Sequence, residues 1–252
     1  MTERVVVSLE DGVLTGTLNR PDKRNAIDAG MIDALLALLA RADLDAAVRV
    51  VVIRGAGADF CAGMDLQELL ASADQTVEAN RRAALRFGSI FVRMRELPKP
   101  VVAVVRGRAL AGGCGLATGC DLVIAAASAQ FGYPEVQRGF VPAIVMNMLK
   151  RTVGEKVAFD LVTTGRILSA AEAAAAGLVS RVYPDAEVEE RAAGMLRGLA
   201  GIGASALALT KQQFYQLDGL GFADGIQLGA DVNAVSRTTP EFRAALSAFL
   251  RK

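Results

Sequence analysis

The chain has 252 residues, 52% of them hydrophobic, with 28 basic side chains against 27 acidic ones and no histidine. That length suits one large domain, or a domain with a helical appendage, and the near-zero net charge provides no global field favouring nucleic acid or an anionic membrane. Without histidine, Ser-His-Asp and Cys-His nucleophiles, HExxH zinc sites and imidazole bases are excluded, so any acid or base must be Asp, Glu, Tyr, Lys or Cys.

Residues 5–9 and 13–18 read as two short strands joined at Asp11-Gly12, a hairpin signal. Helical spacing of Ile32, Leu35, Leu36 and Leu39 predicts a helix over 28–41 with Asp28 as its N-cap. A β-branched run follows at 48–53, then a long helix at 75–95 whose arginines (Arg81, Arg82, Arg86, Arg93 and Arg95) read as a solvated face. Residues 101–105, 122–125 and 178–182 read as further strands. Strands alternating with helices indicate an α/β fold. After about Pro184 the strand signals stop, and 187–199, 205–217, 221–235 and 240–250 all read as helices. The expected organisation is an α/β core over 1–185 and a helical C-terminal region over 186–252. Three cysteines, Cys61, Cys114 and Cys120, show no CxxC spacing, which argues against a disulfide framework or a zinc site. The N-terminus lacks the regions of a signal peptide, and Arg106, Arg108 and Asp121 interrupt the longest apolar runs. The expectation is a soluble cytoplasmic protein with no metal.

Chemistry concentrates in three segments: Phe60-Cys61-Ala62-Gly63-Met64-Asp65-Leu66, then Ala109-Leu110-Ala111-Gly112-Gly113-Cys114-Gly115-Leu116, then Phe131-Gly132-Tyr133-Pro134-Glu135. Each glycine run lies between a strand and a helix-compatible stretch. Backbone N–H groups near Ala62 and at Gly112 would point outward with a helix dipole behind them. Two such donors converging on one oxygen make an oxyanion hole, and a nearby carboxylate supplies acid–base chemistry. Either run alone is equally explained by close packing; their occurrence with Glu135 points to an acyl-thioester enzyme working through an enolate.

The ordered set of motifs resembles the crotonase superfamily, the enoyl-CoA hydratase/isomerase family, over nearly the whole chain. It starts at Leu18-Asn19-Arg20-Pro21 and Arg24-Asn25-Ala26, runs through the three segments above, and continues at Gly154-Glu155-Lys156 and Thr164-Gly165-Arg166 to Ala176-Gly177-Leu178. The resemblance implies a crotonase-type spiral of ββα units with a helical C-terminal trimerisation region, assembled as trimers or paired trimers. It implies a CoA thioester as substrate and no separate cofactor, coenzyme A being part of the substrate. The implied oxyanion-hole donors are Ala62 and Gly112, with Glu135 as the acid/base. Lys23, Arg24, Ala26, Gly63, Met64, Asp65 and Leu66 match the segments that line the CoA and acyl groups, Asp65 in a structural role. Pocket walls are expected from Leu66, Leu69, Leu70, Phe140 and Val141, and Lys211 or Lys252 is within conceivable reach of CoA phosphates.

One departure stands out. Two-glutamate hydratases of this family carry an acid three positions past the second donor, and here that position is Gly115. A single later glutamate is common in the isomerase branch. However, Gly112-Gly113-Cys114-Gly115-Leu116-Ala117 followed by Glu135 and Gly139-Phe140-Val141 also resembles single-glutamate hydratase-like members such as methylglutaconyl-CoA hydratases. Hydration of a 2-enoyl-CoA is the leading reading, and Δ3,Δ2-enoyl-CoA isomerisation by Glu135 alone is the alternative. Glu68, Tyr133 and an ordered water chain are the open choices for a group replacing the missing carboxylate. A dinucleotide site at Gly55-Ala56-Gly57 is disfavoured by Phe60, which stands where the third glycine belongs.

Overall fold

The computed structural model describes residues 3–251. The first hairpin is β1 (Val5–Glu10) and β2 (Val13–Leu18), antiparallel with Val5 opposite Leu18. Three further strands, β3 (Val50–Gly55), β4 (Val101–Val105) and, after the short β5 (Arg108–Leu110), β6 (Leu122–Ala126), extend the sheet in parallel from β2. Beyond β6, two more short strands, β7 (Gln130–Gly132) and β8 (Ile167–Ser169), precede β9 (Arg181–Tyr183), which closes the sheet in the order β1-β2-β3-β4-β6-β9.

Parallel strands covered on both faces read as continuous apolar runs rather than as alternation. The runs at 50–53 and 101–105 are of this kind, and their two parities serve two cores. Val51, Ile53, Val101, Ala103 and Val105 face the main core, while Val50, Val52, Val102 and Val104 face a second one.

A second layer carries the spiral. β5 pairs parallel with β7, β7 pairs antiparallel with β8, and single parallel bridges join Ile27 to Met64 and Cys61 to Ala109. Each turn of chain therefore contributes a long strand to the first sheet and a short extended segment to the second, stacked on the segment of the preceding turn. The three-residue strands of this layer are too short for a period to show, and only the long strands are legible beforehand.

The helices fill the intervals. α1 (Ala29–Leu44) begins at Asp28, whose Oδ1 accepts the Met31 N–H at 2.7 Å, the expected N-cap. α2 (Leu66–Ser72) is capped by Asp65 and α3 (Val77–Glu96) by Thr76. On α3, Arg86 pairs with Asp33 and Arg95 with Asp218, consistent with a solvated, ion-paired face. α4 (Gly112–Thr118) follows β5, α5 (Ala143–Thr164) follows the segment bearing Glu135, and α6 (Ala170–Ala175) starts from a capping box of Ser169 and Glu172.

α7 (Val188–Ala200) covers the outer face of the sheet with Val188, Ala192 and Leu196. Although it falls in the expected C-terminal region, it completes the second core. α8 (Ala204–Gln216), α9 (Phe222–Ser236) and α10 (Pro240–Phe249) bury very little: Lys211 is the buried residue of α8, and none is buried in α9 or α10. Among the described residues no single helix is long and apolar enough to cross a membrane.

Candidate active site

Glu135 sits in a 3-10 turn, Pro134–Arg138, directly after β7. Pro134 pre-sets the first backbone angle of the turn, and Gly139, at φ 70°, ends it in the left-handed conformation. Glu135 is 8% exposed, and its Oε2 is the one buried side-chain oxygen or nitrogen without a hydrogen-bond partner among the described residues. A buried oxygen of this kind costs stability unless a ligand or water meets it, which makes Glu135 a candidate functional residue. Burial raises the carboxyl pKa from 4.5 to about 6, with a backbone hydrogen bond and the Arg138 charge pulling the other way.

Gly112 is the first residue of α4, and among the described residues its N–H donates to no acceptor. It is aimed by Ala111, a non-glycine residue at φ 51°, ψ −129°, whose own N–H donates to Gly132 O at 2.8 Å. Such backbone is strained for a residue with a Cβ, and strain of this type collects at functional sites.

The first glycine run requires a correction. The Ala62 N–H, the expected first donor, donates to Arg24 O at 3.0 Å and is not free to meet a ligand. Two residues on, the Met64 N–H has no acceptor among the described residues, while its neighbours Ile27 and Asp65 close the bridge around it through Gly63 O and Ile27 O. Gly63, at φ 103°, lets the two segments touch. A methyl there would lie 2.8 Å from the Ala111 Cβ and 3.4 Å from Gly112 N. The open N–H groups of Met64 and Gly112 thus belong to segments in contact, a Cβ on Gly112 lying 3.5 Å from Met64 Cγ.

The remaining expected residues divide by role. Lys23 and Arg24 are exposed on the loop before α1 and form no ion pair among the described residues. Ala26 is half-buried with its carbonyl accepting from Arg20 Nη1 at 2.7 Å. Asp65 caps α2 through the Gln67 N–H at 2.9 Å and pairs with Arg20 at 2.9 Å. Burial raises its pKa, but these hydrogen bonds outweigh that and hold it below the ordinary value. Of the expected pocket walls, Leu66, Leu70, Phe140 and Val141 are exposed and Leu69 is half-buried. Lys211 is not available to phosphate: it is buried, and its Nζ donates to Met94 O, Lys99 O and Asp121 Oδ2 at 2.7, 2.9 and 2.7 Å. Lys252 lies outside the described residues.

Residues 8–252 match the family model described as enoyl-CoA hydratase/isomerase. The chain belongs to the enoyl-CoA hydratase/isomerase family. It is 41% identical to a Thermus thermophilus protein provisionally named an enoyl-CoA hydratase, over 98% of each chain. It is 34% identical to the 2,3-dehydroadipyl-CoA hydratase of Escherichia coli, over 98% of this chain and 96% of that one. The crystal structure of an enoyl-CoA hydratase from Mycobacterium smegmatis superposes with a TM-score of 0.94 at 31% identity, covering 98% of this chain and 96% of that one.

Two further features of this family member escaped the reading of its sequence. Arg20 is a hub: besides Asp65 and the Ala26 carbonyl it reaches Asp28 at 3.3 Å, and its own N–H donates to Asn25 Oδ1 at 2.9 Å. Its appearance in a motif was legible, its partners were not. The second feature concerns the groups around Gly115. The Tyr133 hydroxyl is fully buried and shares a 2.6 Å hydrogen bond with Thr118 Oγ1, and Glu68 accepts the Ala29 N–H at 3.0 Å at the start of α1. Each has a partner here, Glu68 through one carboxylate oxygen. Cys61 and Cys114 are buried thiols pushed up to about 12 by desolvation, neutral and unsuited to nucleophilic attack. A separate polar cleft of about 510 Å³, bordered by Arg54 and Arg106, is offset by Glu189, which pairs with both guanidiniums.

Proposed function

We propose that this protein adds water across the double bond of a 2-enoyl-CoA, with the thioester oxygen held by the Met64 and Gly112 N–H groups and Glu135 as the acid/base. The orphaned Oε2 of Glu135 carries this reading, supported by the two adjacent unpaired backbone donors. As Glu135 takes a proton from water, the oxygen bonds to the β-carbon and the π electrons pass to the thioester oxygen as an enolate. Glu135 then returns the proton to the α-carbon and the carbonyl re-forms. Two preorganised donors suit the developing oxyanion, since one such donor is typically worth about 2.7–4 kcal/mol in the transition state. Lys23 and Arg24, exposed and unpaired among the described residues, are suited to the CoA phosphates. Coenzyme A enters as part of the substrate.

A second reading is favoured by one observation. Gly115 puts no carboxylate at the position where two-glutamate members carry their second acid, and the Tyr133 hydroxyl is bonded to Thr118. Glu135 moving a proton between the α- and γ-carbons of a 3-enoyl-CoA needs no second acid. Product mass separates the two when wild type and Glu135→Gln are incubated with 2-enoyl-CoA and with 3-enoyl-CoA. Gain of one water on the 2-enoyl substrate, lost in the variant, is expected. An unchanged mass with a migrated double bond on the 3-enoyl substrate would replace hydration with isomerisation.

On the same reading, the exposed apolar side chains of α8–α10, including Phe214, Phe222 and Phe249, are the surface of a homotrimer or paired trimer. Three free, buried cysteines suit the reducing cytoplasm.

A further inference from the structure

Position 115 is not an open space awaiting a side chain. A Cβ built on Gly115 would lie 2.1 Å from Val145 Cγ1 and 2.9 Å from Val145 Cβ. Rotating the valine moves its methyl groups but not its Cβ, and a β-branched side chain in a helix has one strongly preferred rotamer. Neither helix has room to give way. On α4, a Cβ at Gly113 would meet Cys61 O at 2.3 Å and one at Gly119, just past the helix, would meet the Phe91 ring at 2.6 Å. On α5, Val145, Met148 and Leu149 are all buried in the main core.

Gly115 is one turn past the Gly112 donor, so the two share a face of α4. Next to Gly115, Cys114 carries a neutral thiol, and the Thr118 hydroxyl is bound to Tyr133. We propose that Val145 commits this site to a single carboxylate, by filling the one direction in which a side chain at position 115 can point. The inference rests on the enoyl-CoA reading above and deepens it: the proton taken from water or from carbon has one seat, Glu135, and the same group must return it. Val145 is then a specificity-determining residue, which keeps the wall apolar where an acid would otherwise stand.

The test begins with Gly115→Ala. In an ordinary helix this substitution stabilises, because glycine is the poorer helix former. Here Gly115→Ala is expected to lower Tm, and in a Val145→Gly background, which removes the Cβ as well as the methyl groups, the same change is expected to raise it. A Gly115→Ala protein at or above the wild-type Tm, or the same Tm change in both backgrounds, overturns the packing argument. The functional arm uses Gly115→Glu/Val145→Gly, whose pH profile of kcat/KM is expected to gain a second acid-side ionisation beside the single one of wild type. A folded double variant with an unchanged profile overturns the proposal. Wild type that turns over neither 2-enoyl-CoA nor 3-enoyl-CoA would instead sink the enoyl-CoA reading, while the Tm comparison still decides the packing.

Discussion

Glu135 combines burial with an unpartnered oxygen, and both follow from a turn that places a charged side chain inside the protein. Its raised pKa makes two linked predictions. As a base it must be ionised, so kcat/KM is expected to fall as pH drops through about 6, with a slope of one in the logarithmic plot. Stability runs the other way. The folded state holds this proton more tightly than the unfolded chain, so ionisation weakens the fold as pH rises from 4.5 through about 6. The shift corresponds to about 2 kcal/mol, which partial solvent screening lowers toward about 1 kcal/mol. Glu135→Gln is therefore expected to be the more stable protein at pH 7 by about that margin and no more stable at pH 4, read from urea unfolding. Equal stability at both pH values would argue against a strained, buried carboxylate. The donor opposite can be removed without touching a side chain. Replacing the amide between Ala111 and Gly112 by an ester, through semisynthesis with glycolate at position 112, deletes the N–H at the first residue of α4 and adds no bulk. A loss of about 100- to 1000-fold in kcat is expected; full activity in a folded variant would remove Gly112 from the oxyanion hole.

Between elements, the site is held by a few polar contacts whose partners lie on different turns of the spiral. Arg20, at the end of the first hairpin, meets the cap of α1 (Asp28) and the cap of α2 (Asp65), so one guanidinium sets the spacing of two helix starts beside the Met64 donor. Arg20→Met leaves both carboxylates buried without this partner, and a destabilisation of about 3–5 kcal/mol is expected. A change in urea midpoint equivalent to under about 1 kcal/mol would reduce Arg20 to a surface pair. The glycines of α4 illustrate how far packing and chemistry coincide: Gly113 fits against the Cys61 carbonyl, and Gly63 against Ala111. Close packing and open N–H groups are not rival explanations here. The small residues that let the two runs approach are what bring the Met64 and Gly112 donors together.

At the scale of the molecule, α8 is attached through the buried Lys211, which donates to the last turn of α3 and the approach to β4, while Tyr215 donates to Asp121 at 2.6 Å. Beyond that attachment the helices leave phenylalanines exposed, Phe222 at 89%. Sedimentation is expected to give three or six times the 26.4 kDa chain mass; a monomer at micromolar concentration would reject the assembly. Much of this protein was already legible in its residues. The hairpin, the long helices with Asp28 at one start, the apolar parallel strands and the segment that carries Glu135 are written in periods, caps and motifs that span a dozen residues or fewer. The absence of histidine restricted the chemistry before any fold was known. What only the tertiary structure decided depends on which distant group arrives at a given atom. The Arg24 carbonyl engages the Ala62 N–H and leaves the Met64 N–H open, Val145 from α5 closes the space at Gly115, and Asp121 draws Lys211 inward. A backbone donor looks the same in sequence whether paired or free, because pairing is a property of two segments brought together and not of either one.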